Sequence, residues 1–215
     1  MLSSSRSEQG GYRIYRELTR IRYGTWSRLF QRVATAWSGC SHRTSAGAEP
    51  SASVLRMTAE PPAASVLTSL GVEYRVVEYE PVSSLEEAAT QRGISPADIV
   101  KTLVVRISDE SYVFVLVPGD RAISWPKLRA QLGTKRLSLP DPATAQAVTG
   151  YARGTITPLG SSHVWPAVAD SSMLGRTVAL GSGAPHTHVL VDADALVSAL
   201  SAAVADVTDV RGGAA

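Results

Sequence analysis

The chain has 215 residues, a net charge of +2, 44% hydrophobic and 19% charged residues, which describes a globular protein of one domain, or one domain with a tail. No apolar run approaches the ~18 residues that a membrane-crossing helix needs. The single cysteine, Cys40, excludes a disulfide framework, and the absence of any other removes a cysteine nucleophile or a Cys-rich zinc site from the rest of the chain. It also suits a reducing compartment, and a cytoplasmic location is the expectation.

The charge is unevenly spread. Residues 1–56 carry nine Arg, no Lys and three Glu, a balance of 9 − 3 = +6. Residues 57–215 carry 12 basic and 16 acidic residues, a balance of −4, which argues against indiscriminate nucleic-acid binding by that part as a whole. The first 56 residues are Arg- and Ser-rich and include Trp26 and Trp37. Three readings stand open for them: an organelle transit peptide, a basic arm that touches RNA, or a misassigned start with Met57 as the true one. A helix over residues 12–36 fits the pattern, without a function attached to it. The domain expected to carry the function spans residues 57–208, and 209–215 are expected to fray.

In chain order, Ala63–Leu70 reads as a helix stopped by Gly71, and Val72–Tyr79 alternates like a strand. Ser83 and Ser84 ahead of Glu86 and Glu87 signal a helix N-terminus, with the helix ending at Gly93. Ser95-Pro96 starts a short helical turn. Two strong β runs follow, Val100–Ile107 and Tyr112–Pro118, joined by the polar turn Ser108–Ser111. Trp125–Leu132 is a basic helix closed by Gly133, and Asp141-Pro142 opens another that stops near Gly150. Short strands are expected around Thr155–Ile156, Val164–Ala169, Thr177–Leu180 and His188–Val191. Asp192 caps a final helix from Ala193 to about Ala205. Strands and helices mix without a strict βαβ rhythm, so the expected class is α+β with a mixed, curled sheet.

The common hydrolase and nucleotide-binding motifs are missing: no Gly-x-Ser-x-Gly, no His-Glu-x-x-His, no Walker loop, no Gly-x-Gly-x-x-Gly after a strand. Four features remain. Lys101 heads the apolar run Val100-Lys101-Thr102-Leu103-Val104-Val105; an unpaired buried ammonium is costly, so it either snorkels to solvent or meets an anion or carbonyl oxygen. Gly154-Thr155-Ile156-Thr157-Pro158-Leu159-Gly160 is either a plain turn or a shaped loop whose N–H groups approach a ligand closely. His186 and His188 are two apart ahead of a strand, which puts them on one face; the third nearby histidine, His163, and the lack of well-spaced acids make a metal pair less favoured than one His orienting a substrate or water. Arg121, Lys127, Arg129, Lys135 and Arg136 form either a solvated face or a docking patch for RNA phosphates.

Taken in order, Glu78-Tyr79-Glu80, the Lys101 run, Val115-Leu116-Val117-Pro118-Gly119-Asp120-Arg121, Gly150-Tyr151, Gly154-x-x-x-Pro158-Leu159-Gly160 and Gly181-Ser182-Gly183 resemble the YbaK/EbsC family. This family includes free-standing aminoacyl-tRNA deacylases related to the editing insertion of bacterial prolyl-tRNA synthetase. The resemblance covers about residues 60–205. It implies a compact mixed β-barrel flanked by helices, with neither metal nor organic cofactor, acting on the acceptor end of mischarged tRNA. Prolyl-tRNA synthetase is the implied protein partner, and no membrane is involved. It implies that Lys101 is the signature active-site residue contacting the terminal nucleotide or its phosphate, and that Gly154 helps hold the aminoacyl ester. Tyr79 and Thr102 would line the amino-acid pocket, with Thr155, Pro158, Ser182 and Gly183 completing the substrate site. Many Cys-tRNA-type members carry Gly-Leu-Asp after the Gly-Ser-Gly turn. Here His188 takes the Asp position, as in members active on Ala-tRNA; a shift of two would put His186 there. The implied substrate is tRNA(Pro) carrying a small residue such as Ala or Cys. A catalytically silent module that binds tRNA ends or a synthetase is the alternative.

Overall fold

The computed structural model describes residues 60–80 and 84–211. The basic extension, Cys40, the Met57 boundary, Ser83 and residues 212–215 lie outside the described residues. Within them, local signals set most element boundaries. Helix α1, Pro62–Leu70, ends on Gly71 in the left-handed conformation (φ +67°), which donates its N–H back into the last turn. Strand β1 is Tyr74–Glu78. Helix α2, Leu85–Arg92, starts where the Ser84 side chain accepts the Glu87 N–H at 3.0 Å. A short 3-10 turn, Pro96–Asp98, leads into β2, Ile99–Ser108, and β3, Ser111–Pro118.

Next come β4, Arg121–Ile123, helix α3, Trp125–Leu132, and helix α4, Pro142–Thr149, which is capped by Asp141. Strand β5 is Ala167–Asp170, β6 Thr177–Gly181 and β7 Thr187–Asp192; helix α5, Ala193–Leu200, is followed by β8, Ala203–Ala205, and β9, Thr208–Val210.

Seven strands form one mixed sheet in the order β1-β7-β6-β2-β3-β5-β8, and β4 pairs with β9 in a separate ribbon. The β2–β6, β3–β5 and β5–β8 pairs are parallel and the others antiparallel, which is the expected α+β class with a mixed sheet. Central β3 is buried from Tyr112 to Pro118 on both faces, so its run of Val, Phe and Leu carries no polar alternation. One face packs Leu116, Leu180, Val189 and Val191 against Leu67 of α1 and Leu196 of α5. Fully burying a side chain of this size stabilises the fold by ~1.5–3 kcal/mol, so this layer dominates what fixes the sheet.

Three expectations are corrected. Thr155–Ile156 is not a strand: the Thr155 N–H and hydroxyl both return to the Ala152 carbonyl (3.1 and 2.9 Å), and among the described residues no strand pairs with it. The last helix stops at Leu200 rather than near Ala205: Ser201 takes a left-handed conformation (φ +49°), and Ala203–Ala205 pair with β5. Sheet pairing there overrides the helix propensity of alanine. Asp209 and Val210, expected to fray, form β9 on β4, and the Arg211 N–H donates to the Asp120 carbonyl at 2.9 Å.

Candidate active site

The register sets the site. Val100 lies beside Leu180, and both belong to the main core. Side chains alternate along a strand, so the next residues, Lys101 and Gly181, face away from that core. Gly181 is opposite His188, and His188 is opposite Val77. Lys101, Gly181 and His188 therefore form one row across three neighbouring strands, each about 4.8 Å from the next. Tyr79, two residues beyond Val77, adds its ring 5.6 Å from His188 and 6.1 Å from His186.

The Lys101 ammonium is half-buried. It donates to the carbonyl oxygens of Gly119 (3.0 Å) and Arg121 (2.8 Å), on the turn between β3 and β4. Burial, then the positive charge of Arg211, lower its pKa from 10.5 to about 8, with Asp120 pulling the other way. A lysine so held is not a snorkelling surface residue: its direction is set by two backbone acceptors. The turn leaves no room for a side chain at Gly119, where a Cβ would stand 2.3 Å from the Pro96 carbonyl oxygen.

The Gly154–Gly160 loop reaches the same row. A Cβ on Gly181 would lie 3.0 Å from the Ile156 carbonyl oxygen and 3.4 Å from that of Thr155. Gly154 itself is exposed with φ +95° and nothing within 4 Å of where its Cβ would be, so glycine serves backbone conformation there rather than space. Pro158 is half-buried between Thr157 and Leu159, both buried.

Other expected residues lie elsewhere. Thr102 follows Lys101 directly and turns to the opposite face, where its partner across the ladder, Leu116, belongs to the core; the period of two prevents both side chains from lining one face. Ser182 is buried, and its hydroxyl bonds the Thr187 carbonyl (3.1 Å) and accepts the Ala184 N–H (3.2 Å), so it shapes the turn into β7. Gly183 (φ +87°) packs beneath the Tyr151 ring, 2.8 Å from where its Cβ would stand. His186 is exposed, in a left-handed conformation (φ +58°), and precedes β7; His188, inside the strand, is 3% exposed, so the two do not share a strand face as their spacing suggested.

The basic residues divide. Arg121 Nε donates to the Thr208 hydroxyl and lies 3.8 Å from Asp170 Oδ1. Lys127 pairs with Asp206 (3.0 Å) and Asp209 (2.9 Å). Both are engaged by the C-terminal segment. Arg129 is half-buried near the end of α3, and Lys135 and Arg136 are exposed just beyond it. Among the described residues, no three His, Cys, Asp or Glu side chains are grouped to hold a metal ion.

Two residues went unmarked as contributors to this site. Tyr151 is buried, and its hydroxyl donates to the Leu159 carbonyl at 2.9 Å beneath both glycine turns; its place inside the Gly150-Tyr151 motif was a usable signal. Asp170 is 1% exposed at the end of an apolar strand, and only that lone acid in an apolar run marked it in the sequence.

Residues 79–199 match the profile of the aminoacyl-tRNA editing domain. The chain is 32% identical over 108 residues to a proline–tRNA ligase of Heliobacterium modesticaldum, a match covering 50% of this chain and 18% of the ligase. It is 27% identical over 115 residues to the multifunctional Ser/Thr-tRNA deacylase ProXp-y of Escherichia coli, covering 52% of this chain and 69% of that one. The fold is similar to the solved structure of "a putative trans-editing enzyme for prolyl tRNA synthetase", with a TM-score of 0.62 and 27% identity over 67% of this chain and 93% of that one. The chain belongs to the aminoacyl-tRNA editing domain family.

Proposed function

We propose that this protein is a trans-editing deacylase that hydrolyses the ester of a mischarged tRNA, with tRNA(Pro) bearing a small residue such as Ala or Cys as the substrate. The observation that carries the reading is the row of Lys101, Gly181 and His188 in a chain of the editing family, with the Thr155–Ile156 turn laid against Gly181. The sequence relatives support it: one is a proline–tRNA ligase and another a tRNA deacylase.

An aminoacyl ester is already reactive, so positioning and stabilisation of developing charge suffice without a side-chain nucleophile. Lys101 anchors the 3′-terminal adenosine or its phosphate. Backbone N–H groups near Gly154, other than that of Thr155, which is bound to Ala152, polarise the ester carbonyl. His188 orients the attacking water or the substrate α-amine, and Tyr79, in ring contact with it, limits the size of the side chain accepted. Thr102 acts from the core side of β2, and Thr155, Ser182 and Gly183 hold the two turns. Arg129, Lys135 and Arg136 contact the acceptor stem, while Arg121 and Lys127 act through the C-terminal segment they bind. Prolyl-tRNA synthetase is the proposed protein partner and the cytoplasm the proposed location; no helix among the described residues is long and apolar enough to cross a membrane. The functional unit runs from about Met57 through Arg211, since β9 pairs with β4.

Cutting Tyr79 back to alanine tests the sieve. Tyr79→Ala is expected to raise hydrolysis of correctly charged Pro-tRNA(Pro) by about 10-fold, the scale of one or two missing methylenes or more in a pocket, with Ala-tRNA(Pro) turnover changed less. Unchanged discrimination in a comparison of the two substrates would remove Tyr79 from the pocket.

A further inference from the structure

The segment after α5 lies beyond the family match, which ends at residue 199, yet it is built into the support of Lys101. Among the described residues strand β4 pairs only with β9, three residues against three, and so short a two-stranded ribbon is marginal by itself. Its buried anchor is Asp170, together with the more exposed Lys127, which binds Asp206, Asp209 and the Thr208 carbonyl. The two oxygens of Asp170 have different hydrogen-bond partners, and Oδ1 also lies 3.8 Å from Arg121 Nε. Oδ1 accepts the Ser172 N–H (3.0 Å) and hydroxyl, capping the 3-10 turn Ser171–Met173. Oδ2 accepts the Val207 N–H (3.1 Å) and the Thr208 hydroxyl (2.7 Å). The Thr208 hydroxyl oxygen in turn accepts from Arg121 Nε, and the Thr208 carbonyl accepts from Arg121 Nη2 (3.2 Å). Arg121 contributes the carbonyl that receives the Lys101 ammonium, and Arg211 closes the same turn by donating its N–H to Asp120.

We propose that Asp170 is a positioning residue for the deacylation: through Thr208 and Arg121 it latches the C-terminal strand onto β4 and so holds the carbonyl pair that aims the Lys101 ammonium. The inference rests on the reading of Lys101 as the group that meets the substrate. It makes β9, which the family match leaves out, a working part of the site. The charged groups around the ammonium are Asp120 on the turn and Arg211 at the end of β9; both belong to the latched assembly.

The different hydrogen-bond partners of the two oxygens allow the latch to be weakened without the cap. Thr208→Val keeps the branched shape and removes the hydroxyl that bridges Asp170 Oδ2 to Arg121, leaving the looser 3.8 Å contact of Oδ1 with Arg121; Ser172→Ala removes a cap partner and leaves the latch. The chain has three lysines, Lys101, Lys127 and Lys135, so the pH dependence of acylation at Lys101 is readable by mass spectrometry in the full-length protein, with Lys135 as internal reference. In Thr208→Val the midpoint of Lys101 acylation is expected to rise from about 8 towards 10.5 as burial and the Arg211 charge are relieved, and kcat on Ala-tRNA(Pro) to fall by about 10- to 100-fold, the scale of a misplaced catalytic group. Ser172→Ala is expected to keep both near wild type. A Thr208→Val protein whose midpoint or kcat matches that of Ser172→Ala, with both folded by circular dichroism, overturns the latch. Should Lys101→Ala remain active, the reading of Lys101 fails instead, and the acylation midpoint alone then judges the latch.

Discussion

Replacing Lys101 by alanine is expected to lower kcat/KM on mischarged tRNA by about 100-fold or more, the scale of removing one preorganised charged or hydrogen-bonding group from an active site. The melting temperature should shift by only a few degrees. The two effects separate for physical reasons. The side chain stands at the head of β2 and faces away from the main core, so no large apolar packing is lost. What the fold loses are the hydrogen bonds to Gly119 and Arg121, and deletion of a half-buried charge offsets part of that loss. Lys101→Arg is not a rescue, because a planar guanidinium cannot repeat the geometry of an ammonium held by two carbonyls.

The pH dependence has a definite sign. The ammonium is the working form, and its pKa is lowered to about 8, first by burial and then by Arg211. Enzyme-dependent hydrolysis, after subtraction of the spontaneous reaction, should therefore decline as pH rises through about 8. A rate that stays flat to pH 10 would mean that the charge on Lys101 is not used.

Gly119→Ala is expected to cost about 1–3 kcal/mol of stability, the usual cost of overpacking, and to lower kcat along with it. A Cβ there would stand 2.3 Å from the Pro96 carbonyl oxygen, 3.0 Å from Leu85 Cδ1 and 3.1 Å from the Ile99 carbonyl oxygen. The Leu85 methyl can move. The Pro96 carbonyl cannot move cheaply, because it accepts the Ile99 N–H that closes the 3-10 turn into β2. The turn carrying the Gly119 carbonyl must shift instead, and with it the direction of Lys101. Thermal melts and steady-state assays on the same preparation check both parts; wild-type kcat in a destabilised variant would detach the carbonyl cradle from catalysis.

Much of this was legible in the chain. Gly71, Gly93 and Gly133 end their helices in the left-handed conformation, and Ser84, Asp141 and Asp192 cap helix starts with side-chain oxygens, so local chemistry alone placed these boundaries. The apolar runs of β2 and β3 announced the centre of the sheet. Three-residue strands were not legible. β4, β8 and β9 are too short to show a period, and β8 is an alanine-rich stretch that reads as helix until β5 is beside it. For the site, Lys101 stood out because an ammonium in an apolar run conflicts with ordinary burial, and the glycine loop because its spacing fits the ordered family motif. The facing of Thr102 was not legible from the motif: next to Lys101 on β2, it points to the opposite side of the sheet. Asp170 and the uses of Arg121 and Lys127 were out of reach, because their partners at Val207, Thr208 and Asp209 are some 37 to 87 positions away in sequence and no local pattern encodes such a contact.

This chain is expected to break the ester of a mischarged tRNA. The most direct measurement is a single-turnover reaction of the full-length protein, in excess, with tRNA(Pro) charged with labelled alanine, followed by separation of free alanine from aminoacyl-tRNA. Release well above the spontaneous rate, reduced to that rate in Lys101→Ala, is the predicted result. Tight binding of Ala-, Cys-, Ser- and Thr-charged tRNA with no release from any of them would contradict it and leave a binding module of the same fold.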